Sequence, residues 1–355
     1  MPDSWTFAVA RDDLGRTVLA DTPTPEAGDG EALLRVRRVG LTANNVTYAV
    51  LGESMRYWQF FPGGPRGLGA EWGLPPLWGF ADVIDSRAAG VEPGLRVYGY
   101  LPPARHLVVR PERIDASGFR DGSAHRADLP SPYNAYRSTR ADAAYRADQE
   151  DLLVLFRPLF FTSFMLADQV ADHDFYGAEQ LLLSSASSKT AYAAAVELHG
   201  RGPRVIGLTS PGNVAFARSL GCYDEVLSYD RIDGVGAAPA VYLDLSGAPH
   251  TRAALRNRLG DLLVRDIAVG LTNQIPNAAA AGEVFFAPVQ MRKRRQDWGR
   301  DGLDRRFADA WHRFAAAVTA WLEVRTGVGP QDLRRAWLDV YRGSTPPRVG
   351  HIIEL

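Results

Sequence analysis

The sequence predicts an α/β fold in which a doubly wound parallel sheet follows a smaller, β-rich domain. Three features of the 355 residues carry this reading. Residues 1–114 hold short runs of alternating apolar and polar side chains broken by Gly and Pro, the habit of half-buried strands. From residue 151 onward, short apolar runs alternate with segments of helical period, as in βαβ units. Between the two regions, residues 115–150 hold almost no large aliphatic side chains.

In chain order, EALLRVRRVGL (31–41) alternates as a half-buried strand should. Residues 80–114 contain three short β-rich runs, punctuated by Gly90, Pro93-Gly94 and Pro102-Pro103. Together they suggest a small, partly open barrel or sandwich. Residues 115–150, with Tyr133, Tyr136 and Tyr145, read as a long polar insertion or lid. LFRPLFFTSFMLADQVADHD (155–174) reads as a helix leading into the second region. Then QLLLSSA, RVIGLTS, EVLSY, AVYLDLSG and RDIAVGLT are strands; SKTAYAAAVELHG, GNVAFARSLG and TRAALRNRLGDLL are helices. That alternation implies a parallel sheet covered on both faces. EVFFAPVQM (283–291) adds a strand. Residues 304–326 form an amphipathic helix whose Trp311, Phe314, Val318 and Trp321 stripe is a packing face. DLRRAWLDVYRG and RVGHIIEL close the chain as helix and strand.

A formal net charge of -1 gives no reason to expect nucleic acid or an anionic membrane as partner. The single cysteine, Cys222, excludes an internal disulfide framework and a multi-cysteine zinc site. The seven histidines do not fall at metal-ligand spacing, so no metal is expected. There is no G-x-S-x-G elbow for a serine hydrolase. MPDSWTFAVARDD lacks the features of a signal peptide, and a reducing, cytoplasmic setting is expected.

The chemistry concentrates at LLLSSASSKTAYAAAVELHG (181–200), a strand, a sharp turn and a helix. In dinucleotide-binding proteins glycines fill that turn, allowing it to be tight and to approach the pyrophosphate. Here Ser184, Ser185, Ser187, Ser188, Lys189 and Thr190 surround one alanine. A helix N-terminus still presents free N–H groups and a positive dipole end. Serine hydroxyls can cap it or meet an anion. Lys189 is mildly misplaced at a helix start unless an anion sits near it. A capped helix with a solvated lysine is the plain alternative. The two P-loop glycines are absent, which excludes a nucleoside-triphosphatase motif. The second strand ends in Thr209, Ser210 and Asn213 with no acid, which suits a ribose 2′-phosphate better than a free 2′-hydroxyl.

Four segments together resemble the medium-chain dehydrogenase/reductase superfamily, in its zinc-free quinone and enoyl reductase branch. They are GEALLRVRRVGLTANNVTYAVLG (30–52), GFADVIDSRAAGVEPGLRVYGYLPPARHLVV (79–109), RVIGLTSPGNVAFARSLGCYDEVLSYD (204–230) and DLRRAWLDVYRGSTPPRVGHIIEL (332–355). SSASSKTA, TANNVTYA, MRYWQFFP and PYNAYR are similar to the bacterial subgroup DUF2855. The resemblance implies a GroES-like domain of residues 1–150 and 328–355 and a Rossmann-like domain of residues 151–327. It implies NADP(H) as cofactor, no zinc, a small-molecule substrate and a homodimer formed through an edge strand such as EVFFAPVQM. The reaction implied is reduction of an activated C=C or C=O bond. Tyr57, or else Tyr48, would supply the proton, since a phenol can donate one at neutral pH without activation. Asn44 and Asn45 would line the nicotinamide, Tyr229 would lie near the adenosine phosphate, and Thr272, with Asn273, would follow a strand facing the cofactor. Tyr133, Asn134 and Tyr136 of the polar insertion would shape the substrate pocket. Two departures stand out: Thr47 replaces the relatives' aspartate, and SSASSKTA replaces their glycine-rich loop. A non-redox enzyme or ligand-binding protein on this scaffold, whose turn holds a phosphate, carboxylate or CoA group, stays open as the alternative.

Overall fold

The computed structural model describes residues 4–62, 68–269 and 283–355. The chain divides into two compact units, Met1–Leu155 with Leu322–Leu355, and Phe156–Trp321.

The first unit is built on a nine-stranded sheet. Its order runs Glu323–Val328, Val349–Glu354, Ala32–Leu41, Leu77–Ser86, Arg96–Leu101, Ala135–Ser138, Gly118–Asp121, Pro111–Asp115, with His106–Val109 also paired to Ala32–Leu41. A three-stranded sheet of Thr17–Thr22, Ser4–Ala10 and Trp72–Gly73 accompanies it. Alternation along these strands sends Phe7, Val9, Leu34, Val36, Val83 and Val97 into one core, where Trp337 of the helix Gly329–Tyr341 joins them. Two bulges in the pairing of Ala32–Leu41 with Leu77–Ser86 curve the sheet.

Residues 115–150 are not the irregular lid that their composition suggests. Gly118–Asp121 and Ala135–Ser138 pair with each other, and Ala135–Ser138 pairs with Arg96–Leu101, so the segment widens the sheet. Three of its charged side chains, Asp121, Arg126 and Glu150, are buried rather than solvated. Arg126 and Asp121 form an ion pair at 3.1 Å with both side chains 1% exposed. The Arg126 guanidinium also lies 4.9 Å from the Phe61 ring centroid. Asp121 further accepts from the Arg110 and Ser123 N–H groups, so the buried charges have partners on several sides.

The second unit holds a six-stranded sheet, parallel throughout. Its order is Glu225–Ser228, Arg204–Thr209, Gln180–Leu183, Ala240–Asp244, Leu263–Val269, Glu283–Phe285. Numbered along the chain this is 3-2-1-4-5-6, the doubly wound Rossmann order. The order reverses between Gln180–Leu183 and Ala240–Asp244, which makes that crevice the switch point where such sheets bind ligands. All four residues of Gln180–Leu183 are buried, as expected of a central strand covered on both faces.

Boundaries shift at the C-terminal end. EVFFAPVQM gives only a short strand, because Pro288 at a helix start and the following residues open a long helix, Ala287–Val318, kinked at Gly299. That helix stops before Thr326, and Glu323–Val328 is a strand of the first unit. Its Phe307, Trp311 and Phe314 pack on Phe160 of the helix Glu150–Asp172. Among the described residues, only Ala147–Asp172 is long and apolar enough to cross a membrane, and 61% of its apolar window is buried inside the protein.

Candidate active site: a serine turn and a phenol cluster

The turn after Gln180–Leu183 keeps the geometry of a glycine loop without its glycines. Ser185 adopts φ 54, the left-handed region that glycine normally fills. Its N–H donates to the Tyr229 hydroxyl at 2.8 Å, which holds the turn in that conformation. Ala186 is fully buried and packs so closely on the second strand that a Cβ on Gly207 would meet the Ala186 methyl at 2.8 Å. Ser188 is the N-cap of the helix Lys189–Leu198, its hydroxyl accepting from the Ala191 N–H. Ala191, Ala193, Ala194 and Ala195 are all buried, so small side chains bring helix and sheet together as a third glycine would.

Two backbone donors of the turn are unspent. The N–H groups of Ser187 and Thr190 find no acceptor among the described residues. The Ser187 hydroxyl accepts from Thr209 Oγ1 at 3.3 Å, and Ser163 donates to the Thr190 carbonyl. Lys189 lies over the Phe156 ring, 6.0 Å from its centroid, and burial pulls its ammonium down to about 8.

The second strand's end divides in two. Thr209 is 1% exposed and works inside the turn, not at its rim. Ser210 and Asn213 stay accessible and bond each other at 3.0 Å. Arg218 is tied to the Val226 carbonyl. Thr272 and Asn273 lie outside the described residues.

Sequence reasoning missed Asp244, the hub of this site, and read Ser184 as a helix cap or anion contact, which its burial against Asp244 corrects. Ser184 is fully buried; it donates to Asp244 Oδ1 at 3.0 Å and accepts from the N–H groups of Leu245 and Ser246. Asp244 also accepts from the Tyr242 hydroxyl, the Ser246 hydroxyl, the Gly247 N–H and Arg252. Arg252 extends the network to Asp266. The first and fourth strands are thereby laced together at the switch point. Asp-x-Ser-Gly after an apolar strand was the available signal, a buried Asx turn.

In the first unit, four phenols gather around the helix Ala43–Val50. Tyr48 and Tyr57 ring centroids are 4.8 Å apart, and those of Tyr100 and Tyr133 are also 4.8 Å apart. The Tyr57 and Tyr133 hydroxyls are 3.2 Å apart, and the Trp78 indole N–H donates to the Tyr48 hydroxyl at 3.0 Å. Burial pushes the phenols of Tyr48, Tyr57, Tyr100 and Tyr133 up, so all are protonated acids at neutral pH. Trp58, Phe60 and Phe61 are buried packing.

Three expected site residues have structural work instead. Asn45 completes a capping box: its Oδ1 accepts from the Thr42 N–H and its Nδ2 donates to the Pro76 carbonyl, so it fixes the helix rather than a substrate. Asn134 is 4% exposed and donates to the Arg126 carbonyl. Tyr136 is 1% exposed, and its hydroxyl donates to the Tyr100 carbonyl at 2.8 Å. Of the insertion's candidates, only Tyr133 joins the cluster. Among the described residues, no three His, Cys, Asp or Glu side chains group so as to hold a metal ion.

A 3-2-1-4-5-6 sheet combined with a β-rich unit to which the chain returns at its end is the fold of the medium-chain dehydrogenase/reductases. The chain belongs to the family described as "Protein of unknown function (DUF2855)", whose model matches residues 39–346. Similar solved structures span both units. CurA of Vibrio vulnificus in complex with NADPH is 12% identical, covering 99% of this chain and 98% of that one at a TM-score of 0.59. The quinone oxidoreductase of Coxiella burnetii is 13% identical, covering 99% of each chain at 0.53. A thermostable alcohol dehydrogenase of Pyrobaculum aerophilum is 16% identical, covering 99% of each at 0.54. No curated protein matches the chain.

Proposed function

We propose that the protein is a zinc-independent, NADP(H)-dependent oxidoreductase that reduces an activated C=C or C=O bond of a small polar substrate. The observation that carries this reading is the serine turn, which reproduces a dinucleotide loop at the switch point down to the left-handed residue. The residues fit the cofactor. Ser185 supplies the tight bend, Ser187 and Thr190 offer unspent N–H groups, and Lys189 is a partly buried cation whose low affinity for its proton an anion would reverse. Ser210 and Asn213, with no carboxylate beside them, favour a 2′-phosphate. The NADPH complex of CurA, on the same fold, agrees with that choice.

When bound, the nicotinamide supplies a hydride. The chain's own part is to hold the phosphates at the serine turn and to supply a proton from a phenol of the Tyr48–Tyr57–Tyr133 cluster. Asn44, on the same helix as Tyr48, would orient a polar group near that acid. Fluorescence titration with NADPH tests the reading. Saturable binding, weakened about tenfold or more by Lys189→Ala, supports it. A folded protein that shows no binding at millimolar NADPH refutes it and leaves another anion as the turn's ligand.

A further inference from the structure

Of the successive backbone N–H groups from Ser185 to Ser188, all but one are engaged. Ser185 donates to the Tyr229 hydroxyl at 2.8 Å, Ala186 to the Leu208 carbonyl at 3.0 Å and Ser188 to the Ser185 carbonyl at 2.7 Å. The Ser187 N–H has no acceptor among the described residues, and Ser187 is only half-buried.

The direction of that N–H is fixed from the other end of its peptide unit. The Ala186 carbonyl belongs to the same unit and accepts from the Tyr223 hydroxyl at 2.9 Å. A carbonyl cannot donate, so the phenol is the donor. The unit is planar and trans, so its C=O and N–H point in opposite directions. With the carbonyl held against Tyr223, the Ser187 N–H is aimed away from it.

Tyr223 is itself well held. It precedes the third strand, Glu225–Ser228, and reaches the turn over the second, Arg204–Thr209. Gly207 leaves room for this: a Cβ there would meet the Tyr223 ring at 3.0 Å and the Ala186 methyl at 2.8 Å. Gly207 pairs with Leu183, the residue just before the serines. The glycine absent from the turn thus lies on the neighbouring strand, and a phenol fills the space it leaves. Tyr223 packs with Ala186, Ala217 and Val226. The next residue, Asp224, is tied to Val205 by its backbone N–H at 2.8 Å and by its carboxylate at 2.7 Å.

We infer that Tyr223 is a positioning residue of the anion site: its hydroxyl holds the Ala186 carbonyl and so turns the Ser187 N–H toward the bound phosphate. The bond to the carbonyl also polarises the peptide, which makes its N–H a stronger donor. The inference rests on the proposed function only for the identity of the anion.

Tyr223→Phe removes the hydroxyl and keeps the ring. Calorimetric titration compares NADPH, inorganic pyrophosphate and adenosine 2′-monophosphate, which carries the 2′-phosphate without a pyrophosphate. In Tyr223→Phe, NADPH and pyrophosphate are expected to bind about tenfold more weakly, and adenosine 2′-monophosphate within about twofold of the unsubstituted chain. The amino analogue of tyrosine at position 223 keeps a donor to the carbonyl and is expected to restore both affinities to within about threefold. Equal weakening of all three ligands is the mark of a merely structural role and overturns the inference. So do affinities unmoved by Tyr223→Phe, or an amino analogue that behaves like phenylalanine. A second measurement does not depend on how the variant folds. In the unsubstituted chain labelled with ¹⁵N-serine, the Ser187 amide resonance is expected to move when pyrophosphate is added, and a resonance that stays in place overturns the inference. Binding of pyrophosphate without NADPH would remove the reductase reading and leave Tyr223 its role, whereas binding of neither would overturn both.

Discussion

Ser184 and Ser187 sit three residues apart in one turn, yet their replacement by alanine has different expected costs. Ser184 is fully buried and makes three hydrogen bonds, to Asp244 Oδ1, Leu245 N and Ser246 N. In Ser184→Ala the Ser246 N–H keeps a partner, because it also donates to Asp244 Oδ1 at 3.0 Å. Asp244 keeps its other donors. The Leu245 N–H is left without its acceptor, which costs about 1–2 kcal/mol. The lost hydroxyl-to-carboxylate bond adds about 1 kcal/mol. The expected loss is thus about 2–3 kcal/mol. Ser187→Ala gives up one longer bond, 3.3 Å, from the buried Thr209 hydroxyl, and should cost about 1 kcal/mol. Urea unfolding followed by circular dichroism measures both. Equal losses for the two variants, or a Ser184→Ala loss below about 0.5 kcal/mol, would show that Ser184 does not lace the first and fourth strands together.

Ser185→Gly should be tolerated within about 1 kcal/mol because φ 54 suits glycine, whereas Ser185→Val, β-branched in the left-handed region, should cost about 2 kcal/mol in the same assay. NADPH affinity should fall with alkalinity: the Lys189 ammonium ionises at about 8 in the free protein, a bound phosphate favours the charged form, and binding therefore takes up a proton above that pH. The expected slope is about tenfold weaker per pH unit above about 8 and flat below it, and Lys189→Arg should abolish the slope. Burial pushes the Cys222 thiol up to about 12, so it should react with a thiol-specific disulfide reagent only on unfolding; rapid reaction in native protein would contradict its buried placement.

The sheet of the second unit was legible because its strands are continuous apolar runs separated by helical periods, and both signals are local. The turn's unusual chemistry was legible too, as a strand–turn–helix with serines where glycines belong. What escaped was non-local. Asp244 looks like an ordinary turn residue until the fold brings Ser184 beside it from 60 positions away. Asp121 and Arg126 suggest a solvated loop in sequence, yet they form a buried pair that lets a polar segment join the sheet. Tyr136 and Asn134 were plausible substrate contacts by residue type, and only the strand Ala135–Ser138 reveals that their polar atoms serve the backbone. Asn45 was misassigned for a different reason: asparagine replaces the usual Glu or Gln of a capping box, so the motif was hidden.

The central claim is that the serine turn holds the phosphates of NADPH. A crystal structure grown with NADPH tests it most directly. The account predicts the pyrophosphate seated on the N–H groups of Ser187 and Thr190 with Lys189 beside it, and the 2′-phosphate against Ser210 and Asn213. Crystals soaked to saturation that show the turn holding only a small inorganic anion, or show NADPH seated away from residues 184–190, would contradict it.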